Sequence, residues 1–157
     1  MADREVEIRG LEETRQKLDQ VISDLRGPAL LNGMREVTSM VAADAKRLTP
    51  VDSGYLRNTI MPEIRQDGTT TRGVVGSNAK YAAAVELGAK AHWAPSAPLK
   101  LWARRKGATA FLLAIGDKPY VWLKKRDGVF MLKRALEKNQ AAIFQRLGKV
   151  VTEIVNK

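Results

Sequence analysis

Apolar residues recur at helical spacing in three parts of the chain. The clearest face comprises Leu30, Met34, Val37, Val41, Ala45 and Leu48. Their steps of three or four predict an amphipathic helix that ends before Pro50. A shorter helix is predicted over residues 11–25, and a long C-terminal helix over residues 130–154. Gly27-Pro28 separates the first two helices, since glycine suits a helix C-terminus and proline a first helical turn.

The middle of the chain has the alternating pattern of strands. Residues 55–61 alternate in character and residues 69–75 are rich in β-branched side chains, with the turn signal Gln66-Asp67-Gly68 between them. This predicts a hairpin, and Pro62 predicts that its first strand lies at a sheet edge. Residues 120–123 and residues 4–9 are further candidate strands. Residues 81–87 leave helix and strand both open, because alanine favours a helix while the position after a hairpin favours a strand.

These elements predict an α+β fold. We expect a mainly antiparallel sheet covered by two or three helices, with a long helix at the C-terminus. The length of 157 residues is right for one domain, so we expect a single domain over residues 1–157.

Charge is distributed unevenly along the chain. The net charge is +10, and residues 1–78 carry −1 while residues 79–157 carry +11. This asymmetry suggests a polyanionic neighbour, either nucleic acid or an acidic protein face, although a solvated basic surface would have the same composition. The candidate contacts are Lys100, Arg104, Arg105, Lys106, Lys124, Lys125 and Arg126. Tryptophans lie among these cations, and we expect Trp102 and Trp122 to be buried rather than to stack on bases.

The sequence offers little for catalysis. Cysteine is absent and His92 is the one histidine, which argues against a thiolate nucleophile and against a transition-metal site. Neither Ser53 nor Ser96 lies in a Gly-x-Ser-x-Gly elbow, and the glycines of residues 73–76 lack the pattern of a phosphate loop. We therefore expect no enzyme, no cofactor and no metal, with a carboxylate-pair hydrolase as the remaining catalytic option. No apolar run is long enough for a membrane span, and we expect no membrane partner.

Three stretches resemble the sequence blocks of one family. Residues 45–60 (AKRLTPVDSGYLRNTI) resemble its signature of a helix ending in Thr-Pro-Val-Asp, then Gly and Leu-Arg. Val75-Gly76-Ser77-Asn78, with residues 81–88, resembles a second block, and residues 128–137 resemble a third. The family that these blocks resemble is the neck and tail-completion proteins of long-tailed bacteriophages. The third block lacks the prolines that are common in the family, and residues 89–125 match it only loosely.

The resemblance implies a non-enzymatic virion protein, assembled in the host cytoplasm. Such a protein would form a ring of about six subunits at the head–tail junction or tail end, completing the tail and joining it to the DNA-filled head. Its partners would be further copies of itself, neighbouring neck and tail proteins, and DNA in the channel. The alternative is a basic nucleic-acid-binding protein that acts outside a particle.

Six residues of the matching blocks are candidate structural or assembly positions: Pro50, Asp52, Gly54, Leu56, Arg57 and Glu86. Pro50 to Gly54 has the composition of a tight turn. Glu86 is the one charge in an alanine-rich run, so we expect it to need a partner, either Arg57 or a cation of a neighbouring subunit.

Overall fold

The computed structural model describes residues 10–68 and 70–156. Within this part the chain divides into two compact units. The first unit comprises the described residues of Met1–Ala79 and Met131–Lys157, and the second comprises Lys80–Phe130. The candidate strand at residues 4–9 lies outside the described residues. The expectation of a single domain over residues 1–157 stays a prediction.

The fold is α+β, as predicted. The helices of the described residues are α1 (Leu11–Leu25), α2 (Pro28–Leu48), α3 (Tyr55–Asn58), α4 (Ala82–Leu87), α5 (Ser96–Lys106), α6 (Thr109–Ile115) and α7 (Met131–Val155). The strands are β1 (Ile60–Asp67), β2 (Thr70–Ser77), β3 (Gly88–Ala89), β4 (His92–Pro95), β5 (Tyr120–Leu123) and β6 (Arg126–Asp127). They pair antiparallel as three two-stranded ribbons, β1–β2, β3–β6 and β4–β5, rather than as one continuous sheet.

The core of the first unit lies between α2 and α7, which run antiparallel. A side chain at Gly33 would touch Val150, while at the other end the Thr49 hydroxyl is 3.1 Å from the sulfur of Met131. The buried residues of α2 include Val37, Val41, Ala42 and Ala45, and those of α7 include Met131, Ala135, Val150 and Ile154. The apolar face predicted for α2 is therefore the one that packs on the C-terminal helix.

The predicted hairpin is β1–β2, with Ile60 opposite Ser77 and Asp67 opposite Thr70. Its turn contains Gly68 at a φ of 53°, a conformation that glycine adopts without a steric cost. The start of the first strand was predicted too early, because residues 55–58 form the helix α3 instead. Gly54 at a φ of 82° turns the chain into this helix, and its carbonyl accepts a hydrogen bond from the Asn58 amide.

The sequence left helix and strand both open for residues 81–87, which lie in the second unit. Residues 82–87 form the helix α4, in agreement with its three alanines. The end of α4 is tied to the chain after β6. The amides of Val129 and Phe130 donate to the carbonyls of Val85 and Glu86, at 2.9 and 3.1 Å. The strand predicted at residues 120–123 is confirmed as β5, which pairs with β4. Pro95 is the last residue of β4 and Pro119 precedes β5, and neither has an amide hydrogen to extend the ladder.

Candidate assembly surfaces

The signature turn follows directly from the end of α2. Thr49, the residue before Pro50, has extended backbone angles, as the proline requires. Its buried hydroxyl donates to the carbonyl of Ala45 at 2.7 Å. Pro50 and Asp52 are exposed. The Tyr55 amide donates to the Ser53 hydroxyl at 3.4 Å, so a short polar side chain helps to shape the turn.

Leu56 and Arg57 are neighbours in α3 but face different surroundings. Leu56 is buried, whereas Arg57 is exposed. Leu56 thus anchors the short helix in the first unit, and the guanidinium of Arg57 is open to solvent. Of these two residues, only Arg57 has a side chain that another molecule could reach.

The first matching block meets the beginning of the second, residues 75–78, in the first unit. The hydroxyls of Thr59 and Ser77 are 2.7 Å apart, and the Ser77 hydroxyl also accepts a hydrogen bond from the Ala79 amide. Since Ile60 pairs with Ser77 in the hairpin, the two blocks are adjacent in one ribbon. The residues by which these two blocks match the family therefore stabilise the local fold.

Glu86 is half-buried near the end of α4, in the second unit. Just after it, Gly88 has a φ of 89°, and a side chain on Gly128 would overlap the Glu86 carbonyl. Two backbone segments thus cross in close contact, which explains a glycine at the end of the second matching block. Arg57 lies in the first unit, and the pairing of its side chain with Glu86 stays a prediction.

Asp44 is a charged residue that the sequence did not single out. Its carboxylate lies on the buried side of α2, where it accepts hydrogen bonds from Asn139 at 2.7 Å and Lys138 at 3.0 Å. These bonds, Asn139 first, together with the charges of Lys138 and Arg47, hold the pKa of Asp44 below its ordinary value. The network joins α2 to α7, which gives it a structural role.

A groove of about 340 Å³ lies between α2, β2 and α7 in the first unit. Leu136, Ile143 and Leu147, all on the apolar face predicted for the C-terminal helix, line it together with Met34 and Val75. Leu136 remains exposed. The helical period is thus correct, but only part of that face is buried.

The seven candidate cations all lie in the second unit, in two groups. Arg104, Arg105 and Lys106 form the last turn of α5, where positive charge complements the helix dipole. Lys124 and Lys125 connect β5 to β6, which begins at Arg126. All are exposed except Lys100, which is half-buried. The unit carries ten Lys and Arg against three Asp and Glu, a net charge of +7.

The expectation that Trp102 and Trp122 are buried is wrong. Trp122 is about half exposed and packs edge-to-face on Trp93, with ring centroids 5.4 Å apart. Trp102 is also exposed and packs on Phe111. The buried residues of these elements are small ones, Ala94 and Ala103. A two-stranded ribbon and a short helix each bury one face, and here that face carries the alanines.

No group of three or more metal-ligating side chains lies together in residues 10–68 and 70–156. Among the same residues, no helix combines the length and the apolar character that crossing a membrane requires.

Comparison with known families accounts for the first half of the chain. Residues 11–88 match a family model described as "Bacteriophage HK97-gp10, putative tail-component". The match begins at α1 and takes in the signature turn, the hairpin and α4. No curated protein and no solved structure gives a significant match.

The match defines the class first, that of structural phage proteins. Within this class, residues 11–88 match the HK97-gp10-like family, which confirms the resemblance found in the sequence. A family of tail components points to a virion-associated protein and away from an enzyme.

Proposed function

We propose that this chain is a virion structural protein of a tailed phage or prophage, which forms a ring at the head–tail junction or tail end. The ring completes the tail and joins it to the DNA-filled head. The observation that carries this proposal is the match of residues 11–88 to a family of phage tail components. The ring has about six subunits, each in contact with the next through two different surfaces.

The surroundings of the signature residues support a structural role. The Thr49 hydroxyl donates a hydrogen bond to a carbonyl of α2, and the Ser77 hydroxyl accepts one from a nearby backbone amide. Leu56 is buried. These side chains hold the helix, the turn and the hairpin together. Arg57 is exposed beside them and is the candidate for a contact with a neighbouring subunit.

The basic second unit is proposed to meet a polyanion, either DNA in the channel or an acidic ring of the neck. Its net charge of +7 is concentrated in fewer than a third of the residues. Exposed cations of this density attract phosphate or carboxylate groups over a distance set by the ionic strength.

Negative-stain images of the purified protein with tail tubes from the corresponding phage test the proposal. We expect ring-shaped density at one end of each tube, and no decoration along its length. Arg57→Ala is a useful companion variant because it removes an exposed side chain and should leave the fold intact. Tube ends that remain bare with the wild-type protein would contradict the proposal.

The alternative, a nucleic-acid-binding protein that acts outside a particle, is favoured by one observation. Exposed tryptophans accompany the cations of the second unit, as in surfaces that stack bases. Sub-micromolar binding of the free protein to short DNA, weakening steeply with salt, would support this alternative. Under the main proposal, binding of the free protein to short DNA is weak.

A further inference from the structure

One helix of net negative charge exposes an apolar stripe. Leu11, Leu18 and Ile22 of α1 are between 47% and 63% exposed, and no residue of α1 is buried. Their spacing of seven and four places them on one face of the helix. The helix carries four acidic and two basic residues, a net charge of −2. This surface is called the acidic helix face below.

A second exposed apolar surface lies on the β4–β5 ribbon. Trp93 is opposite Trp122, and Pro95 is opposite Tyr120, so these two pairs share one side of the ribbon. The intervening residue Ala94 faces the other side and is buried. The three aromatic residues are between 51% and 65% exposed. This surface is called the aromatic ribbon face.

The charges around the two surfaces are opposite. Residues 117–127, which include β5, carry four cations and two carboxylates, a net charge of +2. One of the carboxylates, Asp127, is 3.8 Å from Lys125 in an exposed pair. Such a pair is weak in water and can be exchanged for another partner. The segment that carries the aromatic ribbon face thus has a net charge of +2, and the helix that carries the acidic helix face has a net charge of −2, with Arg15 and Asp19 lying along its stripe.

We propose that the acidic helix face of one copy of this chain docks on the aromatic ribbon face of the next copy. Leucine and isoleucine side chains would cover the exposed tryptophans, and the carboxylates of α1 would meet the cations beside β5. Trp and Tyr are the residue types that most often dominate binding energy at interfaces. The occupant that matches both the apolar surface and the charge is thus present on the same chain.

The two surfaces differ, so the contact is head-to-tail and repeats from copy to copy. A contact of this type generates a ring where the rotation closes, and a filament where it does not. The inference rests on the proposed ring and names its subunit contact. Single-stranded nucleic acid on the aromatic ribbon face would account for the cations there, but it would leave the exposed stripe of α1 unexplained.

Two single-surface variants of the full chain test the contact by sedimentation velocity. Leu18→Arg places a charge in the acidic helix face, and Trp93→Arg removes the main aromatic side chain of the ribbon. Phe144→Arg is the matched control, because it makes the same charge change at an exposed apolar residue of α7. All three positions are exposed, and circular dichroism should show the wild-type fold in each variant.

We expect the wild type and Phe144→Arg to associate equally with rising concentration. Each single-surface variant should associate at least about tenfold more weakly, the usual loss for a central interface side chain. An equimolar mixture of Leu18→Arg and Trp93→Arg should form a 1:1 dimer and nothing larger, because each variant retains the surface that the other lacks.

Three results would overturn the inference: a single-surface variant that associates like the wild type, a mixture that stays monomeric, or a wild type that is monomeric up to about 1 mM, the weak limit of specific affinity. A wild type whose sedimentation changes only when single-stranded DNA is added, with the change lost in Trp93→Arg, would assign the ribbon to nucleic acid instead. The proposed function fails on a different observation, namely tail-tube ends that bind no protein.

Discussion

Gly54 is the residue on which the signature turn most depends. Its φ of 82° lies in the left-handed region, where a residue with a side chain is strained and glycine is not. Gly54→Val should lower the free energy of unfolding by about 1–2 kcal/mol. Chemical denaturation followed by circular dichroism measures the change.

Gly148→Ala is the contrasting control for this prediction. Gly148 lies inside α7 with open space around the position of an added side chain. Alanine there should raise the free energy of unfolding by about 0.5–1 kcal/mol. If Gly54→Val unfolds like the wild type but no longer decorates tail tubes, the turn is a contact site rather than a structural one.

The charge of Asp44 should make the stability of the first unit depend on pH. A carboxylate whose pKa is lowered by folding stabilises the fold above its unfolded pKa, near 3.8, and this contribution is lost as the pH falls through the lower folded value. Asp44→Asn should therefore be less stable than the wild type at pH 7, and the difference should shrink below about pH 4.

Urea unfolding of both proteins between pH 7 and pH 2 tests this. The pKa of Glu63 is also lowered, first by its hydrogen bond from Arg65, but both proteins contain that pair and its effect cancels. A stability difference that is the same at pH 7 and pH 2 would show that the charge of Asp44 does not matter to the fold.

Residue-level chemistry was only partly predictable from the sequence. Proline, glycine and serine define the turn because their effects on the backbone are local. The partners of Asp44 lie 94 and 95 positions away in the chain, and nothing local indicates them. The exposure of Trp122 depends on which face of the ribbon is covered, although the alternation of residues 120–123 already placed Tyr120 and Trp122 on one side.

At the scale of elements, the hairpin lies close against α2 because Gly73 of β2 has no side chain. A side chain at Gly73 of β2 would overlap the methyl group of Thr38, whose hydroxyl is held by the Met34 carbonyl at 2.7 Å. Gly73→Ala should push the strand from the helix and lower the free energy of unfolding by about 1–3 kcal/mol. Gly76→Ala in the same strand meets open space and should change it by less than about 0.5 kcal/mol.

Thermal and urea unfolding of the two variants decide the matter. Equal stability of the two variants would contradict this prediction, because it would mean that β2 can move away from α2 without lowering the free energy of unfolding.

The long helices were the most predictable elements. The bounds of α2 follow from the Gly27-Pro28 signal and from Pro50, and α7 keeps one apolar period over its whole length. Short elements were harder: α3 has four residues, too few for a period to separate a helix from a strand. The pairings β3–β6 and β4–β5 join residues between 25 and 39 positions apart, and local patterns do not specify such partners.

At the scale of the whole molecule, the two units should differ in local stability. The largest fully buried side chains of the first unit are Ile60 and Met131, whereas in the second unit only Ile115 is of this kind. Hydrogen exchange should therefore be faster over residues 89–130 than in α2 and α7. Equal protection of the three regions would contradict this, and so would slower exchange over residues 89–130.

Under the proposed function, the chain joins heads to tails as a structural component. The most direct measurement is electron microscopy of particles from a phage or prophage in which this gene is disrupted, with the wild-type gene supplied in trans as the control. The account predicts DNA-filled heads and separate tails, and joined particles again when the wild-type gene is restored. Normally joined, infectious particles in its absence would contradict the account.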